Sequence, residues 1–281
     1  MHSIRRFLVL MLSVLLVSGC SLGMLSYRNA DWLLAYKIDD WVDLTAEQKV
    51  WIRPRLTQLQ VWHRSHELGH VQRLLRDSHL LAAGAPKEDE IQAIYTASVL
   101  TLNRTLEQLL PDALLLLSRL EPAQIAYLER KLAKDNQKLA KDIVLTPDSR
   151  RSLRAKKAVK QFEGWFGRLS TAQEADFIKR VDALPLLDEM HLDNRQRWQH
   201  ELLELLKSKP DSRVFSAELR SLMLDPRRRR DPVYDQAWKL QQQEWVSIVA
   251  WMVKHATPAQ KARLQKKLGG YVEEVSRLLQ V

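Results

Sequence analysis

Apolar residues recur at intervals of three and four along nearly the whole chain, and this periodicity narrows the possible folds more than any other feature. A side chain returns to the same face of a helix after three or four residues, whereas a half-buried strand alternates every two. No run of Val, Ile, Thr and Tyr alternates in that way, and with 8 Gly in 281 residues few positions invite a tight turn. The expected class is therefore all-α, an irregular multi-helix body. Thr146-Pro147, Asp231-Pro232 and Thr257-Pro258 each place a capping side chain before a Pro at the first helical position. Helices are expected near 30–41, 46–80, 87–110, 112–119, 122–142, 147–167, 171–183, 187–207, 212–223, 232–255 and 258–279. Pro54 is expected to kink the second, because its ring meets the carbonyl four residues earlier. No loop has linker character, so residues 20–281 are expected to form a single helical body with a weak division near 145.

The first nineteen residues stand apart from that body. Arg5 and Arg6 form a short basic start, Phe7 to Val17 is an apolar run of eleven residues, and Val17-Ser18-Gly19 leads into Cys20, the single Cys of the chain. Such a tripartite stretch has the form of a secretory signal peptide, and its apolar run is too short to span a bilayer as a helix. The ending resembles the lipobox of bacterial lipoproteins. That resemblance implies cleavage before Cys20, attachment of palmitate-type acyl chains to it, and, with Ser21 rather than Asp next, delivery to the outer membrane facing the periplasm. One Cys also excludes a disulfide framework and every Cys-based zinc finger.

Four segments share one template: Leu44-Thr45-Ala46-Glu47-Gln48, Leu120-Glu121-Pro122-Ala123-Gln124, Leu169-Ser170-Thr171-Ala172-Gln173 and Ala256-Thr257-Pro258-Ala259-Gln260. The pattern is that of a capping box, in which a side-chain oxygen accepts from the amide three residues on and the Gln reaches back. Thr45, Ser170 and Thr257 suit the role, and Glu121 suits it less well. The template resembles the L-T-x-x-Q motif of the Spy/CpxP group of periplasmic stress proteins and chaperones. Read without that resemblance, the four segments are helix starts.

A longer pattern opens the body: Tyr27-Arg28-Asn29-Ala30-Asp31-Trp32-Leu33-Leu34, then Ile38-Asp39-Asp40-Trp41-Val42-Asp43-Leu44-Thr45, then Trp62-His63-Arg64 and Glu67-Leu68. It resembles an uncharacterised family of proteobacterial lipoproteins that carry a domain of unknown function after the acylated Cys. The resemblance implies an all-helical periplasmic lipoprotein and brings no catalytic residues. Trp32, Trp41, Trp51 and Trp62 are expected to dock a short first helix onto the second. Asp39, Asp40 and Asp43 are read as acids favoured before a helix start, with a cation site as the alternative.

His66-Glu67-Leu68-Gly69-His70 matches H-E-x-x-H, in which two His one turn apart hold zinc and the Glu activates water. A zinc metallopeptidase using His66 and His70 as ligands and Glu67 as base is thus the enzymatic alternative. Against it, Arg73 and Arg76 stand where further ligands belong, and no strand is foreseen to carry a substrate. Walker, dinucleotide-binding and nucleophile-elbow motifs are missing, so the chain is read as non-catalytic and without cofactor.

The charge is +10 and unevenly spread: Glu129 to Lys160 holds eleven bases and four acids. Arg130, Lys134, Lys138 and Lys141 fall on one helical stripe, Arg150, Arg154 and Lys157 on another, and Arg227 to Arg230 form a basic loop. Nucleic acid is the usual partner of such stripes, but an exported lipoprotein fits anionic lipid or unfolded and acidic protein segments better. Lys134, Lys138, Arg150 and Arg154 are the residues expected to meet them, the alternative being a solvated face. The expected function is binding by a membrane-anchored periplasmic protein, in a chaperone-like or envelope-maintenance role.

Overall fold

The structure is a computed structural model that describes residues 27–225 and 230–280. The signal segment, Cys20 and Arg227 to Arg229 lie outside the described residues. Within them the chain is all-helical and without strands. The helices are α1 (Ala30–Val42), α2 (Ala46–Trp62), a π-helical turn (His63–Glu67), α3 (Leu68–Ala83), α4 (Glu88–Leu117), α5 (Pro122–Ile143), α6 (Pro147–Phe166), α7 (Thr171–Ala183), α8 (Asp188–Ser208), α9 (Ser212–Leu224), α10 (Pro232–His255) and α11 (Pro258–Gln280). No helix among the described residues is long and apolar enough to cross a membrane.

Capping side chains set several of these starts. Thr45 and Ser170 close complete capping boxes with Gln48 and Gln173, Thr146 accepts from the Ser149 amide, and Asp211 accepts from Arg213 and Val214. One expectation needs correction. Pro111 does not divide a helix in two, because α4 runs through it. Its ring removes one backbone bond on an exposed face, while Leu106, Leu110 and Leu116 keep the opposite face buried on both sides. Pro54 lies inside α2, which passes into a π turn at His63–Glu67, where Glu67 faces inward and is 2% exposed. A π turn inserts one residue into the helical register and so redirects the side chains that follow it.

The chain sorts into two compact units built from interleaved segments. Unit 1 comprises residues up to Leu68, Thr101–Lys141 and Met190–Asp231. Its core is an apolar cluster that includes Val42, Leu44, Ile52, Leu56, Leu120, Leu128, Trp198, Leu206 and Phe215. Unit 2 comprises Gly69–Leu100, Asp142–Glu189 and Pro232–Val281. Phe177, Val181, Leu184, Tyr234, Ile248 and Met252 are nearly inaccessible there, and Phe162 packs on Phe177 with ring centres 4.6 Å apart.

Candidate functional site

The four capping-box segments do more than start helices: their glutamines meet in pairs, one pair in each unit. In unit 1 the Gln48 Oε1 accepts from the Thr45 amide at 3.0 Å and the Gln124 Oε1 from the Glu121 amide at 3.1 Å, as a capping box requires. The two carboxamides then bond each other reciprocally, Nε2 of Gln124 to Oε1 of Gln48 at 2.7 Å and the converse at 3.2 Å. In unit 2 Gln173 and Gln260 do the same at 2.9 and 3.0 Å. The nitrogens also donate across the pair to the carbonyl two residues before the partner's cap: Gln124 to Asp43, Gln173 to His255 and Gln260 to Arg168. One carboxamide thus fixes its own helix start, its partner's amide and the partner's incoming chain. An Asn is too short to span these contacts and a Glu lacks the donor.

The two pairs differ in their surroundings. Beside the unit 2 pair lies an open cleft of about 990 Å³ whose lining includes Arg168, Arg263, Lys266 and Glu174. Gly167 shapes its edge with φ +83°, and a Cβ there would stand 3.1 Å from Cδ of Arg263.

The opening pattern of the body is mostly consumed by structure. Asp39 accepts from the Leu44 amide at 2.9 Å and pairs with Lys49, Asp40 pairs with Lys131 at 2.7 Å, and Asp43 ends α1 in the left-handed conformation at φ 51°. Asp39 and Asp40 therefore make separate contacts at the end of α1, while Asp43 caps that helix through its backbone. Asp31 accepts from Thr57 Oγ1, tying α1 to α2. Trp41 and Trp51 pack at the edge of the core, and the Arg55 guanidinium covers the Trp51 ring at 4.1 Å. Trp32 does not dock, contrary to the expectation: it is 53% exposed and stacks on Tyr36, itself 55% exposed.

The residues of the zinc-site alternative make other contacts. Both carboxylate oxygens of Glu67 accept from the Arg104 guanidinium at 2.7 Å, so the would-be base is buried in a bidentate ion pair. That pairing raises the Arg104 pKa. His66 is exposed, stacked on Trp62 with Nδ1 at the Trp62 carbonyl, and His70 Nδ1 lies 2.5 Å from Arg73. Among the described residues no group of three His, Cys, Asp or Glu is placed to hold a metal ion. The histidine with a distinctive environment is instead His63, whose Nδ1 meets the Tyr27 hydroxyl at 3.0 Å. Burial holds His63 below the usual imidazole pKa, with Glu67 opposing, and pushes Tyr27 up to about 12.

The two basic stripes also part company. On α5 of unit 1, Arg130, Lys134, Lys138 and Lys141 are exposed, and Lys138 has only a 3.8 Å contact with Asp135. On α6 of unit 2 the arginines turn inward. Arg154 donates to the carbonyls of Leu184 and Pro185 and Arg151 to those of Asp182 and Leu184, while the 10% exposed Arg150 pairs with Glu189 at 3.0 Å. Burial, reinforced by Arg151, lowers the Arg154 pKa. These residues brace the connection between α7 and α8, so of the four anion-binding residues expected from sequence only Lys134 and Lys138 are surface cations. Arg230 is likewise buried rather than displayed.

The fold and the paired carboxamides define a class: a protein of two units, all-helical over its described residues, each unit with a cross-bonded pair of helix starts. The chain belongs to DUF6279, a family of unknown function, whose pattern it matches over residues 40–235. No curated protein matches it significantly, and no solved structure does.

Proposed function

We propose that this chain is a lipid-anchored, non-catalytic binding protein of the outer membrane, facing the periplasm, with a chaperone-like or envelope-maintenance role as its concrete form. The observation that carries the reading is the N-terminal sequence, in which a basic start, an eleven-residue apolar run and Val17-Ser18-Gly19 precede Cys20. More than one acyl chain on that Cys is enough for stable anchoring, since a single chain holds only marginally. Binding rather than catalysis is supported by how the chain uses its polar groups. Glu67 and the acids of α1 are spent on internal contacts, and the paired glutamines on closing the units. Open surface is left to cations such as Lys134, Lys138 and Lys141, which suits anionic lipid or acidic, unfolded protein segments as partners. The likeness of the four capping boxes to the L-T-x-x-Q motif supports the chaperone-like version.

The test is a Cys20→Ala variant expressed with labelled palmitate. Label should be lost and the protein should move from the membrane to the soluble fraction. Unchanged labelling and fractionation would overturn the anchor, and with it the proposed location.

A further inference from the structure

The chain has nine Trp, and eight of them, Trp41, Trp51, Trp62, Trp165, Trp198, Trp238, Trp245 and Trp251, are buried or half-buried. Trp32 is the exception, on the first helix of the body. It stacks on Tyr36, one turn on, with ring centres 5.8 Å apart and planes within 13°. Two large aromatic side chains on one exposed helical face are costly to leave in water. The face is not a leftover of poor packing, because α1 buries its other side: Leu34, Ala35, Ile38 and Trp41 all pack against the unit 1 core.

The position of this pair along the chain names what covers it. Tyr27 is buried, its hydroxyl on His63 and its carbonyl accepting from Gln60, so the chain is held in unit 1 at that residue. Six residues separate it from Cys20. Seven peptide steps, fully extended, reach at most about 25 Å, so a chain anchored at Cys20 keeps Tyr27, three residues before α1, within that distance of the bilayer surface. Trp and Tyr are the side chains that favour the headgroup layer, where a flat apolar ring and one polar atom are both accommodated. Cations flank the pair: Arg28 is exposed, and the Lys37 ammonium lies 5.8 Å from the Tyr36 ring centre. The nearest acid, Asp31, is turned to Thr57 Oγ1 and to the Trp32 amide.

We propose that the Trp32–Tyr36 face of α1 seats in the headgroup layer of the membrane that holds the acyl chains of Cys20, making a second contact that orients unit 1 on the surface. The inference rests on the lipid-anchor reading. Tethering gives the face a high local concentration of lipid, so a contact too weak to bind alone becomes occupied. An exposed aromatic pair and two cations can therefore complete what the acyl chains begin.

The experiment uses the acylated full chain in vesicles of phosphatidylethanolamine and phosphatidylglycerol, with and without phosphatidylcholine brominated near the ester end of its acyl chains. Co-sedimentation reads the anchor, and quenching of Trp emission by bromine reads the seat. The wild type should be quenched, and Trp32→Phe should lose most of that quenching while sedimenting equally. Circular dichroism should show equal helicity, since position 32 is exposed. Equal quenching in the two proteins, or none in either while both sediment, would overturn the seat and leave the anchor standing. If Cys20→Ala sediments as well as the wild type, the anchor reading fails and this inference falls with it. A photoreactive side chain at position 36 should crosslink to lipid in cells; crosslinks to a protein instead would overturn the assignment.

Discussion

The two glutamine pairs solve one problem in unequal settings. Gln124 of unit 1 and Gln260 of unit 2 are both buried, but in unit 1 the box of Gln124 has Glu121 in the capping position. In unit 2 both boxes carry a hydroxyl cap, Ser170 and Thr257, whose oxygens accept from the glutamine amides at 3.2 Å. That pair also borders a cleft open to water. The comparison separates two duties of the motif. In unit 1 a single hydroxyl cap, Thr45, stands beside the pair, and the carboxamides take the Thr45 and Glu121 amides and the Asp43 carbonyl. Beside the cleft of unit 2, a hydroxyl cap stands at each of the two helix starts.

Removing one carboxamide from each unit should have the largest effect. Gln124→Leu leaves the Glu121 amide, the Asp43 carbonyl and the Gln48 amide without their partner, and about 3 kcal/mol of stability should be lost at roughly 1 kcal/mol per group. Gln260→Leu should cost less, about 1–2 kcal/mol, because water in the adjoining cleft can replace the lost bonds. Denaturant melts of the two variants check the order. Equal losses would mean that the adjoining cleft does not weaken the pair.

Acid should act on unit 1 through His63. Its folded pKa lies below the ordinary value, so the unfolded chain takes up the proton first and stability falls as pH drops from about 6.5 toward the folded pKa. The slope is at most about 1.4 kcal/mol per pH unit for one group. Hydrogen exchange across α2 should quicken over that window, and His63→Gln should flatten the dependence. An α2 whose exchange follows only the intrinsic pH rate would remove His63 as the cause.

A smaller effect runs in the opposite direction. Glu121→Thr would complete the imperfect box of unit 1 and should stabilise by about 0.5–1 kcal/mol. Thermal melts measure the gain, and its absence would show that the Glu121 end is already satisfied by Gln124 alone.

Much of the fold is legible in local sequence. Thr45, Thr146, Ser170 and Pro258 mark helix starts because a capping oxygen and a missing proline amide act within one turn of chain. The limits of that logic show at Pro111. Local sequence says stop there, yet buried Leu106, Leu110 and Leu116 hold α4 straight through it. The basic stripe on α6 is a second case. Arg150 and Arg154 sit at helical spacing with Lys157, but spacing cannot tell a solvated guanidinium from one turned onto the Leu184 and Pro185 carbonyls thirty residues on.

By itself the sequence determined the all-α class, most helix boundaries and the four capping boxes, since each is written in residues a few positions apart. Tertiary structure alone decided that the boxes close two by two. Gln48 and Gln124 are 76 residues apart, Gln173 and Gln260 87, and no periodicity links positions so distant. It likewise decided that Glu67 serves Arg104 rather than a metal, and that Trp32 alone of nine Trp is left facing outward. Burial and partner choice depend on what the rest of the chain brings alongside, and a local pattern of residue types does not contain that information.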